Sequence, residues 1–124
     1  MSLLFDSNAL LWWLDGRRLP ADLLVRIEFE SPVLVSIATP WELWIKAASG
    51  RLNIPPGFEE GLTSEDALTL LSPDLADLRL AAHLPLLHRD PFDRMIIAQA
   101  LNRQATVITG DQVFARYGVD VILV

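Results

Sequence analysis

Short segments that are apolar along their whole length constrain the fold of this chain most. The clearest is PVLVS at positions 32–36, and ATVITGD at 105–111 and GVDVILV at 118–124 have a similar character. A strand that is buried on both faces has this pattern, whereas a strand with one face in water alternates apolar and polar residues. These segments therefore predict strands of a parallel sheet that is covered on both faces.

Segments with a helical spacing of apolar residues separate these strands. Two more apolar stretches, LLFD at 3–6 and ALTLLSP at 67–73, fit further strands. Strands that alternate with helices predict one α/β domain over residues 1–124, with a helical layer on each face of a parallel sheet. A loop with one helical turn is expected at 54–62. The helical segments are 8–14, 21–30, 39–50, 74–84 and the run that begins at Pro91.

Composition excludes several classes of protein. A chain of 124 residues with 52% hydrophobic residues can bury a sizeable core in one domain. It contains no uncharged apolar run of about 18 residues and no recognisable signal peptide, so we expect a cytoplasmic protein without a membrane association. The absence of cysteine excludes disulfides, thiolate catalysis and zinc ribbons.

The segment HRDPFDRMIIAQA at 88–100 places two aspartates three residues apart at the front of an apolar run. Asp90 followed by Pro91 is a typical helix start, and Asp93 would interact favourably with the positive end of the helix dipole. Taken alone, this segment is explained by helix capping. A chemical role for either aspartate depends on where the other acidic residues of the chain lie.

Three further acidic residues fall where a parallel sheet binds its ligands, beyond the carboxyl ends of the strands. Asp6 closes the first strand, Asp111 follows the segment 105–109, and Glu42 lies in the first turn of the helix after 32–36. Each has an ordinary alternative: Asp6 and Asp111 can cap or open a helix or turn, and Glu42 can complete a capping box with Thr39.

Together these acidic residues predict a cation site. Unpaired carboxylates that converge from distant segments repel each other unless a cation lies between them. With no cysteine and two histidines, the ligands would be nearly all oxygen, which favours Mg²⁺ or Mn²⁺ over zinc. The net charge of −6 does not exclude a phosphate ligand, because the five acids nominated here account for most of it.

A carboxylate-bound Mg²⁺ most often serves phosphoryl or phosphodiester chemistry. One ion can polarise the phosphate and help to deprotonate water, and a second ion about 4 Å away can stabilise the leaving oxygen. This chemistry needs no serine, cysteine or histidine nucleophile, which suits the composition of the chain.

The chain resembles PIN domains, and specifically the VapC-type ribonuclease toxins of bacterial toxin–antitoxin pairs. LLFDSNALLWWL, SIATPWELWIKAASGRLNIP, HRDPFDRMIIAQA and VITGDQVFARYGV occur in the order and approximate spacing of that family, from end to end of the chain. The resemblance implies a sheet of about five parallel strands and a metal-dependent endoribonuclease. It also implies a cognate antitoxin partner and, commonly, a homodimer.

The resemblance also implies residue roles. Ser7, Asn8 and Thr109 match small polar positions that orient the carboxylates or a metal-bound water. Asp90 is an extra acid of the DPFD form with an auxiliary role. The residues implied to be catalytic and to bind Mg²⁺ or Mn²⁺ are Asp6, Glu42, Asp93 and Asp111. DSN at 6–8 replaces the commoner DTH or DTN, and Pro40 stands where another helix-compatible residue is usual.

Basic and aromatic residues have two possible roles each. For RNA contact the candidates are Lys46, Arg51, Arg89 and Arg94. A solvated surface position is the equal alternative for the three arginines, whereas Lys46, one helical turn beyond Glu42, could instead pair with a carboxylate. His88 lies close to the acids in sequence, where a loop role is favoured over substrate contact. The tryptophan pairs 12/13 and 41/44 cannot all face inward, so one or two could line a partner surface.

Alternative functions remain open at this point. A non-catalytic PIN-like module would bind RNA or protein without cleaving, although all four core acids are present. A haloacid-dehalogenase-like phosphatase expects a second aspartate at position 8, where this chain has Asn8. A receiver domain expects a lysine after a late strand, and TVITGD is followed by none.

Overall fold

Five parallel strands form the central sheet in a computed structural model that describes residues 2–16 and 19–124. Their order across the sheet is β3-β2-β1-β4-β5, and every neighbouring pair is parallel. The strands are β1 (Leu3–Phe5), β2 (Val33–Ser36), β3 (Leu68–Leu71), β4 (Thr106–Thr109) and β5 (Asp120–Leu123). The predicted parallel sheet of about five strands is confirmed.

The central strand β1 sets the register on both sides. Leu4 pairs with Leu34 of β2 and with Val107 of β4. The backbone N–H of Asp6 then donates to the carbonyl of Ile108 at 3.0 Å, so the pairing with β4 continues one residue beyond the strand. The first residue after β1 therefore has a fixed position at the carboxyl edge of the sheet.

Helices cover both faces of the sheet, as the continuous apolar strands predict. Leu3 and Phe5 point into one buried cluster, and Leu4 points into the other, because successive side chains of a strand face opposite ways. The helices are α1 (Ser7–Asp15), α2 (Ala21–Phe29), α3 (Ala38–Ala48), α4 (Phe58–Leu62), α5 (Leu75–His83) and α6 (Pro91–Arg103), and a 3-10 helix spans Gln112–Tyr117. The result is a three-layer α/β/α arrangement.

Aspartates cap four of the helical segments, as their sequence positions predict. Asp6 accepts from the backbone N–H of Ala9 at 2.8 Å, and Asp74 forms a reciprocal capping box with Asp77. Asp90 and Asp111 start α6 and the 3-10 helix, where their carboxylates accept from backbone N–H groups two residues later.

The predicted start of α3 is wrong. Thr39 was expected to cap the helix, but α3 begins at Ala38 and the side chain of Ser36 accepts from the backbone N–H of Ala38 at 3.2 Å. Thr39 lies within the helix, and its Oγ1 is buried without a hydrogen-bond partner among the described residues. Glu42 is consequently free of a capping role.

The helices α5 and α6 are joined by a buried ion pair. Asp77 is fully buried, and its two carboxylate oxygens accept from the guanidinium of Arg103 at 2.9 Å each. Asn102 donates to the same carboxylate at 2.8 Å. This pairing fixes α6, whose first turn carries Asp93, against its neighbour. None of the helices in the described ranges is long and apolar enough to cross a membrane.

Candidate functional site

Acidic residues from four segments meet at the carboxyl edge of the sheet. Asp6 follows β1 directly, Glu42 lies in α3 after β2, Asp111 follows β4, and Asp93 lies in the first turn of α6. Their charges interact: Asp111 and Glu42 both raise the pKa of Asp6, and Glu42 and Asp6 both raise that of Asp93. The predicted convergence of carboxylates is present in the structure.

Asp6 is a helix cap and a site carboxylate at the same time. Its side chain is 5% exposed, with Oδ1 accepting from the N–H of Ala9 and Oδ2 accepting from Thr109 Oγ1 at 2.5 Å. Burial raises the pKa of this carboxyl group above 3.8, and the two hydrogen bonds only partly offset that rise. Thr109 therefore contacts the carboxylate of Asp6, and its orienting role stays a prediction.

Glu42 is held by two side chains on opposite sides of its carboxylate. Ser7 Oγ donates to Oε1 at 2.5 Å, and Lys46 Nζ lies 2.9 Å from Oε2, one helical turn away. Glu42 is buried, whereas the Lys46 side chain is 38% exposed. Lys46 is therefore paired with a carboxylate, one of the two roles considered for it. Ser7 contacts the glutamate, and its orienting role stays a prediction.

His88 joins the two remaining carboxylates. Its Nε2 lies 3.0 Å from Asp93 Oδ2 and 2.9 Å from Asp111 Oδ2. One atom from each of these three residues lies within 4.8 Å of the others, a separation at which one ion could contact all three. The side chains are partly exposed, with 17% exposure for His88 and 19% for Asp93, so the cluster opens to solvent.

The ionisation of Asp93 is strongly disfavoured in the metal-free protein. Burial first, and then the negative charge of Asp90, raise its pKa from 3.8 to about 7, while His88 acts in the opposite direction. A carboxyl group in this position retains much of its proton near neutral pH. A bound cation would replace that proton and restore the charge.

The donor set fits a hard divalent cation. Carboxylate oxygens dominate the cluster, and two of the carboxyl groups have raised pKa values that a positive charge would lower. Oxygen donors suit Mg²⁺ and Mn²⁺ better than zinc or copper. The chemistry of these side chains therefore agrees with the cation expected from the sequence.

Arg94 is not where the sequence analysis placed it. It is 8% exposed, and its guanidinium donates to the backbone carbonyls of Ala81, Leu84, Pro85 and His88 at 2.7–3.2 Å. A side chain turned inward in this way has no free donor face for an RNA phosphate. Its observed role is to hold the 84–90 loop, which carries His88 and Asp90, against α6.

The remaining polar candidates lie at the surface. Arg51 and Arg89 are exposed, and Arg51 donates to Ser49 Oγ at 2.8 Å. Asn8 is exposed on α1, and within the described residues it makes none of the orienting contacts that Ser7 and Thr109 make. Asn8 is thus the small polar position that the structure does not bring to the carboxylates.

The central position of His88 was missed by sequence reasoning, which favoured a loop role. The available signal was its spacing, two residues before Asp90 in HRDPFD. That spacing alone could not reveal the contacts to Asp93 and Asp111, because they depend on how the 84–90 loop folds back over α6.

An apolar groove lies beside the acidic cluster. Trp41 on α3 is 62% exposed and meets Phe92 of α6 edge to face, with 5.2 Å between the ring centroids. We call this surface the Trp41 groove; its volume is about 390 Å³, and its lining is Ile37, Ala38, Trp41, Pro73, Leu78, Pro91, Phe92 and Met95. In contrast, Trp12 and Trp13 are half-buried against the core. The expectation that the tryptophans divide between core and surface is confirmed.

The fold and the acidic cluster define a parallel α/β domain with carboxylates at one edge of its sheet, and the family follows from comparison. The model of the PIN domain family matches residues 3–120. The chain therefore belongs to the PIN domain family. No curated protein matches it by sequence.

Solved structures have the same fold. A chain of the DNA-bound VapBC from Salmonella typhimurium is 20% identical with a TM-score of 0.73, and the match covers 98% of this chain and 97% of that one. A chain of VapBC2 from Rickettsia felis, bound to a promoter DNA fragment, is 14% identical with a TM-score of 0.71, and the match covers 99% of this chain and 98% of that one. A chain of FitAcB from Neisseria gonorrhoeae is 21% identical with a TM-score of 0.59, and the match covers 97% of this chain and 96% of that one.

Proposed function

We propose that this protein is a metal-dependent endoribonuclease that hydrolyses phosphodiester bonds of RNA, and the toxin of a VapC-type toxin–antitoxin pair. The observation that carries the proposal is the cluster of carboxylates at the carboxyl edge of a PIN fold. Asp6 is buried there without a basic partner among the described residues, and the partner of the buried Glu42 is the partly exposed Lys46. Such a cluster is costly to build unless it binds a cation.

Each acidic residue has a role in this proposal. Asp6, Glu42, Asp93 and Asp111 hold Mg²⁺ or Mn²⁺, and Asp90 has an auxiliary role through its charge beside Asp93. When bound, the ion polarises the phosphate and lowers the pKa of a coordinated water.

Neighbouring side chains orient the carboxylates, offset part of their charge and contact the RNA. Thr109 and Ser7 hold the carboxylates of Asp6 and Glu42 in place, so that each keeps its orientation when RNA arrives. Lys46 offsets part of the negative charge at Glu42 and lowers the repulsion that the RNA backbone would meet. Arg51 and Arg89 are the exposed cations that we propose contact RNA phosphates. The compartment that we propose for this activity is the cytoplasm.

The proposed partners are an antitoxin and a second copy of the chain. Two of the structural neighbours are chains of VapBC assemblies, which supports an antitoxin partner for a protein of this fold. The Trp41 groove is a suitable protein-binding surface, because exposed aromatic and aliphatic side chains commonly mark interfaces.

Substituting Trp41 by Arg should weaken a purified toxin–antitoxin complex about tenfold or more in a titration experiment, which is the scale of a hot-spot loss. Unchanged affinity would place the antitoxin elsewhere.

The decisive experiment is an RNA-cleavage assay with purified protein. Wild-type protein should cleave a mixed RNA substrate with Mg²⁺ or Mn²⁺ and stop when EDTA is added, whereas Asp93→Asn should be inactive in all conditions. Asp120→Asn is a matched control, because Asp120 is exposed at the amino end of β5, the opposite edge of the sheet. Equal cleavage by wild type and Asp93→Asn would refute the proposal.

A non-catalytic RNA-binding or protein-binding module is the second candidate. It differs in one outcome: the wild-type protein would bind RNA in a gel-shift assay without cleaving it in either metal. The intact set of four acids argues for the first function.

A further inference from the structure

We propose that His88 is a positioning residue that orients the carboxylates of Asp93 and Asp111, with Nε2–H donating a hydrogen bond to Asp111 and making a close polar contact with Asp93, and that it is not itself a metal ligand. This inference rests on the proposed metal-dependent function and adds a residue that the acidic motif does not include. The histidine belongs to the 84–90 loop and contacts carboxylates from α6 and from the segment after β4. It therefore connects two parts of the site that approach from different elements.

The first argument concerns the position of the imidazole proton. The backbone N–H of Asp90 donates to Nδ1 of His88 at 3.2 Å. A nitrogen that accepts a hydrogen bond carries no proton, so the neutral ring must carry its proton on Nε2. That nitrogen is the one that faces Asp93 and Asp111, and it faces two hydrogen-bond acceptors.

The same contact argues against a role as ligand. A metal-bound Nε2 would need its lone pair free, which would move the proton of the neutral ring to Nδ1. Nδ1–H would then face the N–H of Asp90 at 3.2 Å, with two donors pointing at each other. Donation from Nε2 to Asp111 avoids this conflict.

The second argument concerns how firmly the ring is held. The backbone N–H of His88 donates to the hydroxyl of Tyr117 at 2.7 Å, and that hydroxyl donates to the carbonyl of Pro85. The carbonyl of His88 accepts from Arg94 at 3.2 Å, and the ring meets the buried ring of Phe114 edge to face. A side chain fixed from several directions can impose an orientation on what it contacts.

The third argument concerns what the carboxylates would lack without His88. Asp111 also accepts from the N–H of Val113 through its other oxygen, so it has a second fixed contact. For Asp93, the contact to His88 is the only hydrogen bond or ion pair found within the described parts of the chain. Removing His88 should therefore free Asp93 more than Asp111. Hydrogen-bond partners of ligating carboxylates typically contribute about tenfold to hundredfold to metal affinity or activity.

The first test reads the tautomer directly. A two-bond ¹H–¹⁵N spectrum of ¹⁵N-histidine-labelled, metal-free protein should show His88 with a protonated Nε2 and an unprotonated Nδ1, and the same tautomer after saturation with Mg²⁺. The His83→Ala variant assigns the signals, because it leaves one histidine. A proton on Nδ1 in the magnesium-loaded protein would overturn the proposal and make His88 a ligand.

The second test measures metal affinity by calorimetry with Mn²⁺. His88→Ala should weaken binding about tenfold to hundredfold. His88→Gln should recover part of the loss, because the glutamine amide can donate at a similar distance from the backbone. His83→Ala, on the exposed side of α5, should bind as wild type does. Wild-type affinity in His88→Ala, or no recovery in a folded His88→Gln variant, would contradict the positioning role.

These tests separate the two proposals. The tautomer and the Mn²⁺ affinity can be measured whether or not the protein cleaves RNA. Protein that binds Mn²⁺ with the expected dependence on His88 but leaves RNA intact would contradict the ribonuclease proposal and support the positioning role of His88. If His88→Ala does not fold, the spectrum of the wild-type protein and the His88→Gln variant still decide.

Discussion

At the scale of single residues, Asp93 links the acidity of the site to the stability of the protein. Its pKa is about 7 in the folded protein and 3.8 in an unfolded chain. Between these values the folded state binds more protons than the unfolded state, so the free energy of unfolding falls as pH rises toward 7. Asp6, whose pKa is also raised, acts in the same direction.

We therefore predict that the metal-free protein melts at a lower temperature at pH 8 than at pH 5.5. The Asp93→Asn variant, which cannot ionise at this position, should show a smaller decrease over the same range. Thermal melts followed by circular dichroism in EDTA would measure both, and Mg²⁺ should restore the stability of the wild type at pH 8. A decrease of equal size in the two proteins would remove Asp93 as its source.

Substitutions of Asp90 and Asp93 should differ sharply in their effects on stability and on cleavage rate. Asp90 caps α6 through the N–H of Phe92, and asparagine caps as well as aspartate does. Asp90→Asn should keep the stability of the wild type and most of its cleavage rate, and Asp90→Ala should lower the free energy of unfolding by about 1 kcal/mol.

Loss of a residue that only hydrogen-bonds a metal ligand typically lowers activity about tenfold to hundredfold. Asp93→Asn should lower the cleavage rate by more than this, because it removes a proposed ligand. Cleavage rates and urea denaturation of the three variants would measure this division. Similar cleavage rates for the two asparagine variants would show that Asp90 is not auxiliary.

At the scale of secondary-structure elements, the site depends on the contacts that hold α6 against α5. The ion pair between Asp77 and Arg103 joins α5 to α6, and Arg103 holds the pKa of Asp77 well below its ordinary value of 3.8. The stability that this pair contributes is present above the ordinary pKa and is lost as pH falls below it.

Asp77→Asn should lower the free energy of unfolding by about 2 kcal/mol. This is less than the cost of breaking a fully buried pair, because a quarter of the Arg103 side chain reaches solvent. Asp74→Asn is the matched control: its carboxylate lies 3.9 Å from Arg103, is well exposed, and can be replaced by asparagine as a cap. Urea denaturation at pH 7 measures both variants. Equal losses would contradict a specific contribution of the Asp77–Arg103 pair, because Asp74→Asn leaves that pair intact.

The elements were predictable where local chemistry decides them. Continuous apolar segments predicted the strands, and Asp6, Asp90 and Asp111 were recognisable caps because a cap acts within a few residues of chain. Thr39 was predicted wrongly as the cap of α3, because the helix begins earlier, at Ala38, with Ile37 in the N-cap position and Ser36 accepting from the N–H of Ala38. The inward course of Arg94 was also unpredictable, since it depends on four carbonyls presented by α5 and the loop after it.

At the scale of the whole molecule, the convergence of the acids follows from the parallel sheet. Asp6 and Asp111 each follow a strand, and the carboxyl ends of parallel strands share one edge, so their presence at the same edge could be predicted from the sequence. That the two strands are neighbours is known from the structure. The strand order β3-β2-β1-β4-β5 could not be derived from apolar patterns, and the resemblance to PIN domains implied about five parallel strands without their order. The place of His88 had no such support.

Metal binding should stabilise the entire domain, because the carboxylates come from β1, α3, α6 and the segment after β4. An ion that contacts all of them binds the folded state and has no comparable site in the unfolded chain. With the free ion at one hundred times its dissociation constant, the stabilisation is about 2.7 kcal/mol. We predict that the melting temperature of the wild type rises with the logarithm of the Mg²⁺ or Mn²⁺ concentration. Differential scanning calorimetry would measure it.

The controls for this prediction are two variants that differ only in where an acid is removed. Asp6→Asn keeps the cap of α1, because asparagine accepts the N–H of Ala9, and it removes the charge between Asp111 and Glu42. Its melting temperature should respond weakly to Mg²⁺, while Asp120→Asn, at the opposite edge of the sheet, should respond as the wild type does. A full response in Asp6→Asn would show that the ion binds away from the carboxyl edge, because no site there could lose a central carboxylate without losing affinity.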